Sequence, residues 1–291
     1  MRGLYPEIEP YGHGMLEVSD GDLVYWETCG NPRGKPAIVL HGGPGSGCSD
    51  WHRRLFDPNA YCLVLFDQRG CGRSIPHASA PDADLTSNNL PNLIRDIEGL
   101  RQYLAVDKWL VFGGSWGSTL ALAYAERNPQ RVTGIILCGV TTGRRKEFDW
   151  LFRGGVAVLF PEEWERLRAG VPVAEQDDDI VEAYHRLLLD PDPRVREQAA
   201  VAWCTWESAT PAWPPTHRLS PRFTDPAFAM AYARLVTHYV RHDAWLEDGC
   251  LLRDAARWPI FPGSWCMDAL TFKHPSAGRG TFAASGRTPS S

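Results

Sequence analysis

The stretch Trp109-Leu110-Val111-Phe112-Gly113-Gly114-Ser115-Trp116-Gly117-Ser118-Thr119-Leu120-Ala121-Leu122-Ala123-Tyr124 decides the reading of this chain. An apolar run with strand character enters a G-x-S-x-G turn, and a run with helical character leaves it. A strand, this turn and a helix make up a nucleophile elbow. The turn is so tight that its serine takes a strained backbone conformation, and only small residues two before and two after it avoid a clash. The strain lifts Oγ above the sheet at a helix N-terminus, where the next N–H and the helix dipole favour an oxyanion. Ser115 is therefore the candidate nucleophile. A Gly-rich loop without chemistry is the bland alternative, and the flanking strand and helix weigh against it.

Working outward, Met15–Val18 and Leu23–Thr28 flank Ser19-Asp20-Gly21-Asp22, a hairpin signal. Ala37–His41, Tyr61–Phe66, Trp109–Phe112 and Val132–Cys138 are short apolar runs with β-branched residues, suited to strands buried on both faces of a parallel sheet. Asn89–Leu104 carries Leu90, Leu93, Ile94, Ile97, Leu100 and Leu104 at helical spacing, one stripe for packing on that sheet. The alternation predicts a doubly wound α/β core over residues 1–140. Residues 141–248 read as helices broken by prolines, a Trp-rich cap standing over the active face. Residues 249–262 read as a return to the core. Residues 263–291 are rich in Ser, Gly, Pro and Thr, with no strand or helix pattern.

The 291 residues suffice for one large α/β domain with an insertion. The formal charge of −5 is spread without long runs, which argues against nucleic acid or an anionic membrane surface as partner. No stretch approaches a membrane span, and the N-terminus lacks the order of a signal peptide. Eight cysteines with no C-x-x-C pair read as free thiols in a reducing cytoplasm.

Two more motifs belong with the elbow. His41-Gly42-Gly43-Pro44-Gly45 follows a predicted strand, and its glycines let backbone N–H groups approach a substrate carbonyl. Gly43 is the candidate second oxyanion donor beside the N–H of Trp116. Asp67-Gln68-Arg69-Gly70-Cys71-Gly72-Arg73-Ser74 follows the next strand, and there Asp67 and Arg69 are expected to hold loops by ion pairs. Together, H-G-G-P-G, D-Q-R-G-C-G-R-S and G-G-S-W-G-S, in this order and spacing, resemble the proline iminopeptidases of the α/β-hydrolase superfamily. The resemblance runs from Leu4-Tyr5-Pro6 to about Pro262 and includes Phe160-Pro161-Glu162-Glu163-Trp164.

The resemblance implies an α/β-hydrolase fold with a helical cap and a Ser–His–Asp triad without metal or other cofactor. It also implies release of N-terminal proline from peptides through an acyl-enzyme. Ser115 matches the nucleophile, and Gly43 and Trp116 match the oxyanion donors. A W-x-x-W-E motif that binds the substrate's free amine is matched by Trp203-Cys204-Thr205-Trp206-Glu207. Glu207 is then the substrate-binding carboxylate, with the tryptophans expected as apolar walls around a pyrrolidine ring. The alternative for Glu207 is a surface helix residue.

The chain departs from the pattern twice. A second acidic position is Val236 here, in Ala233-Arg234-Leu235-Val236-Thr237-His238-Tyr239, which leaves looser amine selectivity or a substitute such as Glu247 or Asp243. His238 reads as structural. The larger departure follows Pro262, where the family continues with a strand ending in H-G-R-x-D and later a G-H. Here stand Gly263-Ser264-Trp265-Cys266-Met267-Asp268 and an unpatterned tail, with Asp268 and His274 too early to match the triad. Codons allowed for Gly263 to Pro275, read from the third base of the Gly263 codon, permit V-L-V-H-G-R-x-D-x-Q-A-P, and the same frame continues with A-W-x-L-x-x-x-W. The expectation is a reading frame that slips near Gly263, so that the last strands and the triad Asp and His are encoded out of frame. A short paralogue with its own tail is the competing account.

The leading expectation is thus a serine aminopeptidase acting on peptides with N-terminal proline. Two rivals stand beside it: a broad esterase or amidase on the same scaffold, and a catalytically dead hydrolase-fold protein that only binds a ligand. Oligomeric state and substrate length are not legible in the sequence.

Overall fold

The computed structural model describes residues 4–210 and 220–255. Six strands, β1 (Gly12–Glu17), β2 (Leu23–Gly30), β3 (Lys35–Leu40), β4 (Tyr61–Phe66), β5 (Trp109–Gly114) and β6 (Val132–Cys138), form one sheet in the order β1-β2-β4-β3-β5-β6. The β1–β2 hairpin closes as its turn signal predicts, with Glu17 opposite Leu23. β2 then pairs antiparallel with β4, while the β4–β3, β3–β5 and β5–β6 ladders are parallel. The strand alternation divides the parallel strands between two cores. Ile38, Leu40, Val64, Phe66 and Val111 face one side, and Ala37, Val39, Leu63, Leu65 and Phe112 the other. That is why these runs are apolar throughout rather than alternating.

Helix α1 (Leu90–Tyr103) starts at Asn89, whose side chain accepts from the Asn92 N–H, and buries the predicted leucine stripe on the first face. Helix α2 (Trp116–Arg127) follows β5 and is buried almost throughout. After β6 the described chain is helical: α3 (Arg145–Phe152), α4 (Pro161–Ala169), α5 (Ile180–Leu187), α6 (Pro193–Ala209), α7 (Pro226–Arg241) and α8 (Cys250–Asp254). Aromatic packing holds α3 to α6 together. Trp203 stacks on Phe152 at 5.6 Å and meets Tyr184 edge-on, and Trp206 meets Trp164 edge-on at 5.4 Å.

Helix α7 joins these helices to the sheet. The buried Arg234 guanidinium donates to the carbonyls of Ala78 (2.7 Å), Ala80 (2.5 Å) and Ala83 (3.2 Å). One turn on, Tyr239 Oη donates to Asn88 Oδ1 at 2.6 Å. The ion pairs expected of the β4–α1 loop are present: Arg69 with Asp96 (2.6 Å), and Asp67 with Arg73 (2.7 Å). Among the described residues, Cys29, Cys48, Cys62, Cys71, Cys204 and Cys250 are free thiols. No described helix is long and apolar enough to cross a membrane. The tail at 263–291, with Asp268 and His274, lies outside the described residues, as do the strands expected after Pro262.

Candidate active site

The ends of β3, β4 and β5 lie side by side because these strands are parallel neighbours. Each is followed by one of the three motifs, so the topology gathers them at one edge of the sheet, where ligands bind in open α/β folds. Ser115 has φ 54° and ψ −123°, a positive φ that L-residues rarely adopt. The glycine spacing follows directly. A Cβ at Gly113 would stand 2.1 Å from the Gly117 carbonyl oxygen, and one at Gly117 would stand 2.0 Å from the Leu40 carbonyl oxygen. Two further bonds pin the elbow. Ser115 N–H donates to the Cys138 carbonyl at 2.9 Å, and Ser118 Oγ donates to the Ser115 carbonyl at 2.6 Å.

The His41–Gly45 loop abuts this elbow. A Cβ at Gly42 would come within 3.3 Å of Ser115 Cβ. Gly43 has φ 114°, which favours glycine, and so turns the loop over the serine. Trp116 opens α2, so its N–H has no carbonyl one turn earlier to bind. Among the described residues, nothing hydrogen-bonds the N–H of Gly43 or Trp116, or Ser115 Oγ.

A cavity of about 50 Å³ lies over the elbow, lined by Gly43, Ser115 and Trp116 below and by Phe148, Leu151, Phe152, Glu207, Tyr232 and Val236 from the cap. Glu207 is 6% exposed, so the surface-residue alternative does not hold. Tyr232 Oη donates to Glu207 Oε2 at 3.2 Å. Burial, and then the Glu207 charge, push the Tyr232 phenol well above its ordinary range, so it stays a donor. The structure thus brings Glu207 into the same cavity as Ser115, whereas Tyr232 carried no local signal in the sequence.

Two expectations are corrected here. Trp203 and Trp206 do not wall this cavity; they form the core of the cap, with Trp206 Nε1–H donating to the Leu151 carbonyl at 3.3 Å. At i, i+3 and i+4, Trp203, Trp206 and Glu207 share one face of α6, so the rings fix the helix that carries the carboxylate. The apolar walls are Phe148, Leu151, Phe152 and Tyr239 instead. Nor do Asp243 and Glu247 replace the carboxylate missing at Val236. Asp243 pairs with Arg145 at 2.7 Å, and Glu247 with Arg253 at 2.7 Å, both away from this cavity. A second cavity carboxylate does exist. Glu147 accepts from Thr142 N–H (2.7 Å), Thr142 Oγ1 (2.8 Å) and Arg144 Nη2 (2.6 Å). Its charge is balanced by Arg144, and its work is to fold the 142–147 turn under the cap.

His238 is structural, as expected: its Nε2–H donates to the Asn88 carbonyl at 3.0 Å, and it packs near His185 and His242. Burial, reinforced by the nearby His242 and Arg241 charges, holds His238 down to about 4. Burial does the same to His185, with Arg241 and His238 adding to it and Glu182 opposing. Both are neutral in the folded cap, whereas an unfolded histidine titrates near ~6.5. The unfolded chain therefore binds more protons between pH 6.5 and 4, and stability is lost as pH falls through that window. Each pKa unit is worth about 1.4 kcal/mol. His238→Gln retains a donor for Asn88, so its Tm against pH should fall less steeply than that of the native chain. Parallel curves would show that His238 does not carry the effect.

Residues 35–203 match the α/β hydrolase fold family. A probable proline iminopeptidase of Streptomyces coelicolor is 52% identical over 273 residues, covering 92% of this chain and 84% of that protein. A proline iminopeptidase of Xylella fastidiosa is 47% identical over 264 residues, covering 90% of this chain and 82% of its own length. These likenesses run across both the sheet and the cap, so the three motifs do not stand alone. The chain belongs to the proline iminopeptidase family of α/β hydrolases.

Proposed function

We propose that this chain is a serine aminopeptidase that releases N-terminal proline from peptides. The observation that carries the proposal is the cavity, with Ser115, Gly43 and Trp116 on its floor and Glu207 in its roof. Ser115 Oγ attacks the carbonyl of the first residue. The N–H groups of Gly43 and Trp116 receive the oxyanion, with donors already aimed at where its charge develops. The ring of the residue sits against Phe148, Leu151 and Phe152, and its charged imino group pairs with Glu207, which Tyr232 orients. A terminal amine is thereby the handle that fixes cleavage one residue in. Loss of the amine peptide leaves an acyl-enzyme on Ser115, which water resolves. The general base and the acid that orients it come from the segment encoded out of frame after Pro262.

Residues 1–140 act as the catalytic core and 141–248 as the cap; of the expected return at 249–262, residues 256–262 lie outside the described residues. The net charge supports a peptide rather than nucleic acid or a membrane surface as partner, and the eight cysteines without a C-x-x-C pair support a cytoplasmic setting.

Glu207→Gln tests the amine role. A charge-assisted hydrogen bond is worth about 1.5–3 kcal/mol. kcat/KM on free-N-terminal proline substrates should fall roughly 10–150-fold on that figure, while aryl esters without an amine react about as before. Equal losses on both would show that Glu207 supports the fold. Val236 in the cavity favours the second reading, a broad esterase or amidase. Comparing a Pro-arylamide, an Ala-arylamide and an aryl ester separates the two.

A further inference from the structure

The two oxyanion donors follow different strands, and among the described residues neither backbone N–H has a hydrogen-bond partner. One buried side chain bridges the segments that carry them. Gln68, 2% exposed, follows the end of β4, and its side chain reaches across the end of the neighbouring β3 to the start of α2 after β5. Its Nε2–H donates to the His41 carbonyl at 2.9 Å, and its Oε1 accepts from the Trp116 indole Nε1–H at 3.0 Å. Its backbone N–H donates to His41 Nε2 at 3.0 Å. That bond requires the other imidazole nitrogen to carry the proton, and His41 Nδ1–H donates to the Gly42 carbonyl at 2.9 Å. Burial lowers the His41 pKa, which keeps this neutral tautomer. The peptide units on both sides of Gly42 and the side chain of Trp116 are thus referred to one residue, through its side-chain amide and its backbone N–H.

We infer that Gln68 is the positioning residue of the oxyanion hole: its carboxamide sets the spacing between the Gly43 and Trp116 N–H groups by holding His41 and Trp116 at once. The inference rests on the assignment of Ser115, Gly43 and Trp116 above. An amide is suited to this work because it offers one donor and one acceptor in a fixed plane. A carboxylate would set like charge against the His41 carbonyl, and an apolar side chain would leave two buried polar groups unpaired. Gln68 does not line the cavity, so its loss should slow the chemical step and leave binding alone. Misplacing a donor by a fraction of an ångström to an ångström costs up to about a hundredfold in rate.

The test is phosphonylation of the full chain by an alkyl fluorophosphonate, whose phosphoryl oxygen takes the oxyanion position. It is followed by intact mass at alkaline pH, where hydroxide can take the serine proton. Saturation kinetics separate Ki from kinact. Gln68→Met should lower kinact about tenfold to a hundredfold with Ki little changed. Gln68→Asn keeps the amide but is one methylene too short to reach both partners. It should show the same split, and it serves should the Met variant not fold. In Trp116→Phe the Gln68→Met loss should shrink, because one of the two bonds is already gone. Native kinact in folded Gln68 variants, or a loss confined to Ki, overturns the role of Gln68. Absence of label on the native chain, or label surviving Ser115→Ala, overturns the site assignment beneath it.

Discussion

In a frame-restored protein, Ser115→Ala removes labelling by a serine-directed phosphonate and lowers peptidase turnover on the order of 10⁴–10⁶-fold, the range seen when serine hydrolases lose a triad member. The substitution is a clean test because alanine keeps the Cβ and differs only by the hydroxyl. The bonds that hold the elbow run through backbone atoms: the Ser115 N–H to Cys138, and the Ser115 carbonyl to Ser118. The variant should therefore fold with an unchanged Tm, and the loss is chemical. Labelling that persists in Ser115→Ala would place the reactive nucleophile elsewhere.

The second large effect concerns the tail. Among the described residues, β6 is an edge strand, with Ile136 and Leu137 only partly buried and Cys138 exposed. An apolar parallel edge presents unpaired N–H and C=O groups and favours association through them. No described histidine bonds Ser115 Oγ, and without a base the hydroxyl is a weak nucleophile. The 291-residue chain should therefore express poorly and show at most trace release of N-terminal proline. A gene shifted by one base near the Gly263 codon should give soluble protein with turnover higher on the order of 10⁴–10⁶-fold. Resequencing that codon is the direct check. A monomer with full activity from the chain as written would refute the frame slip, and His274 would then be the base to test. His238 is committed to Asn88.

What the sequence made legible was local. The strand–turn–helix of the elbow, the leucine stripe of α1 and the β1–β2 hairpin are encoded in consecutive residues, where period and turn chemistry are visible. The place of β4 between β2 and β3 is not, because strand order is set by packing between distant segments. The same holds in the site. Glu207 was found through a motif, but its partner Tyr232 lies on another helix, and the Gln68–Trp116 bond joins the ends of two strands. The tryptophans misled for a related reason. Composition announces an aromatic cluster but not its partners: Trp203 and Trp206 share the face of Glu207 yet pack on Phe152, Tyr184 and Trp164 inside the cap.

The backbone at Ser115 carries one more implication. A residue held at φ 54° and ψ −123° costs about 1–3 kcal/mol against a relaxed conformation. Glycine would occupy the same turn with far less strain. Judged by folding alone, serine is the wrong residue for this corner, and the chain would be more robust without it. Its presence there is what the proposed nucleophile asks of the fold, a concession of stability legible in two dihedral angles before any substrate is considered.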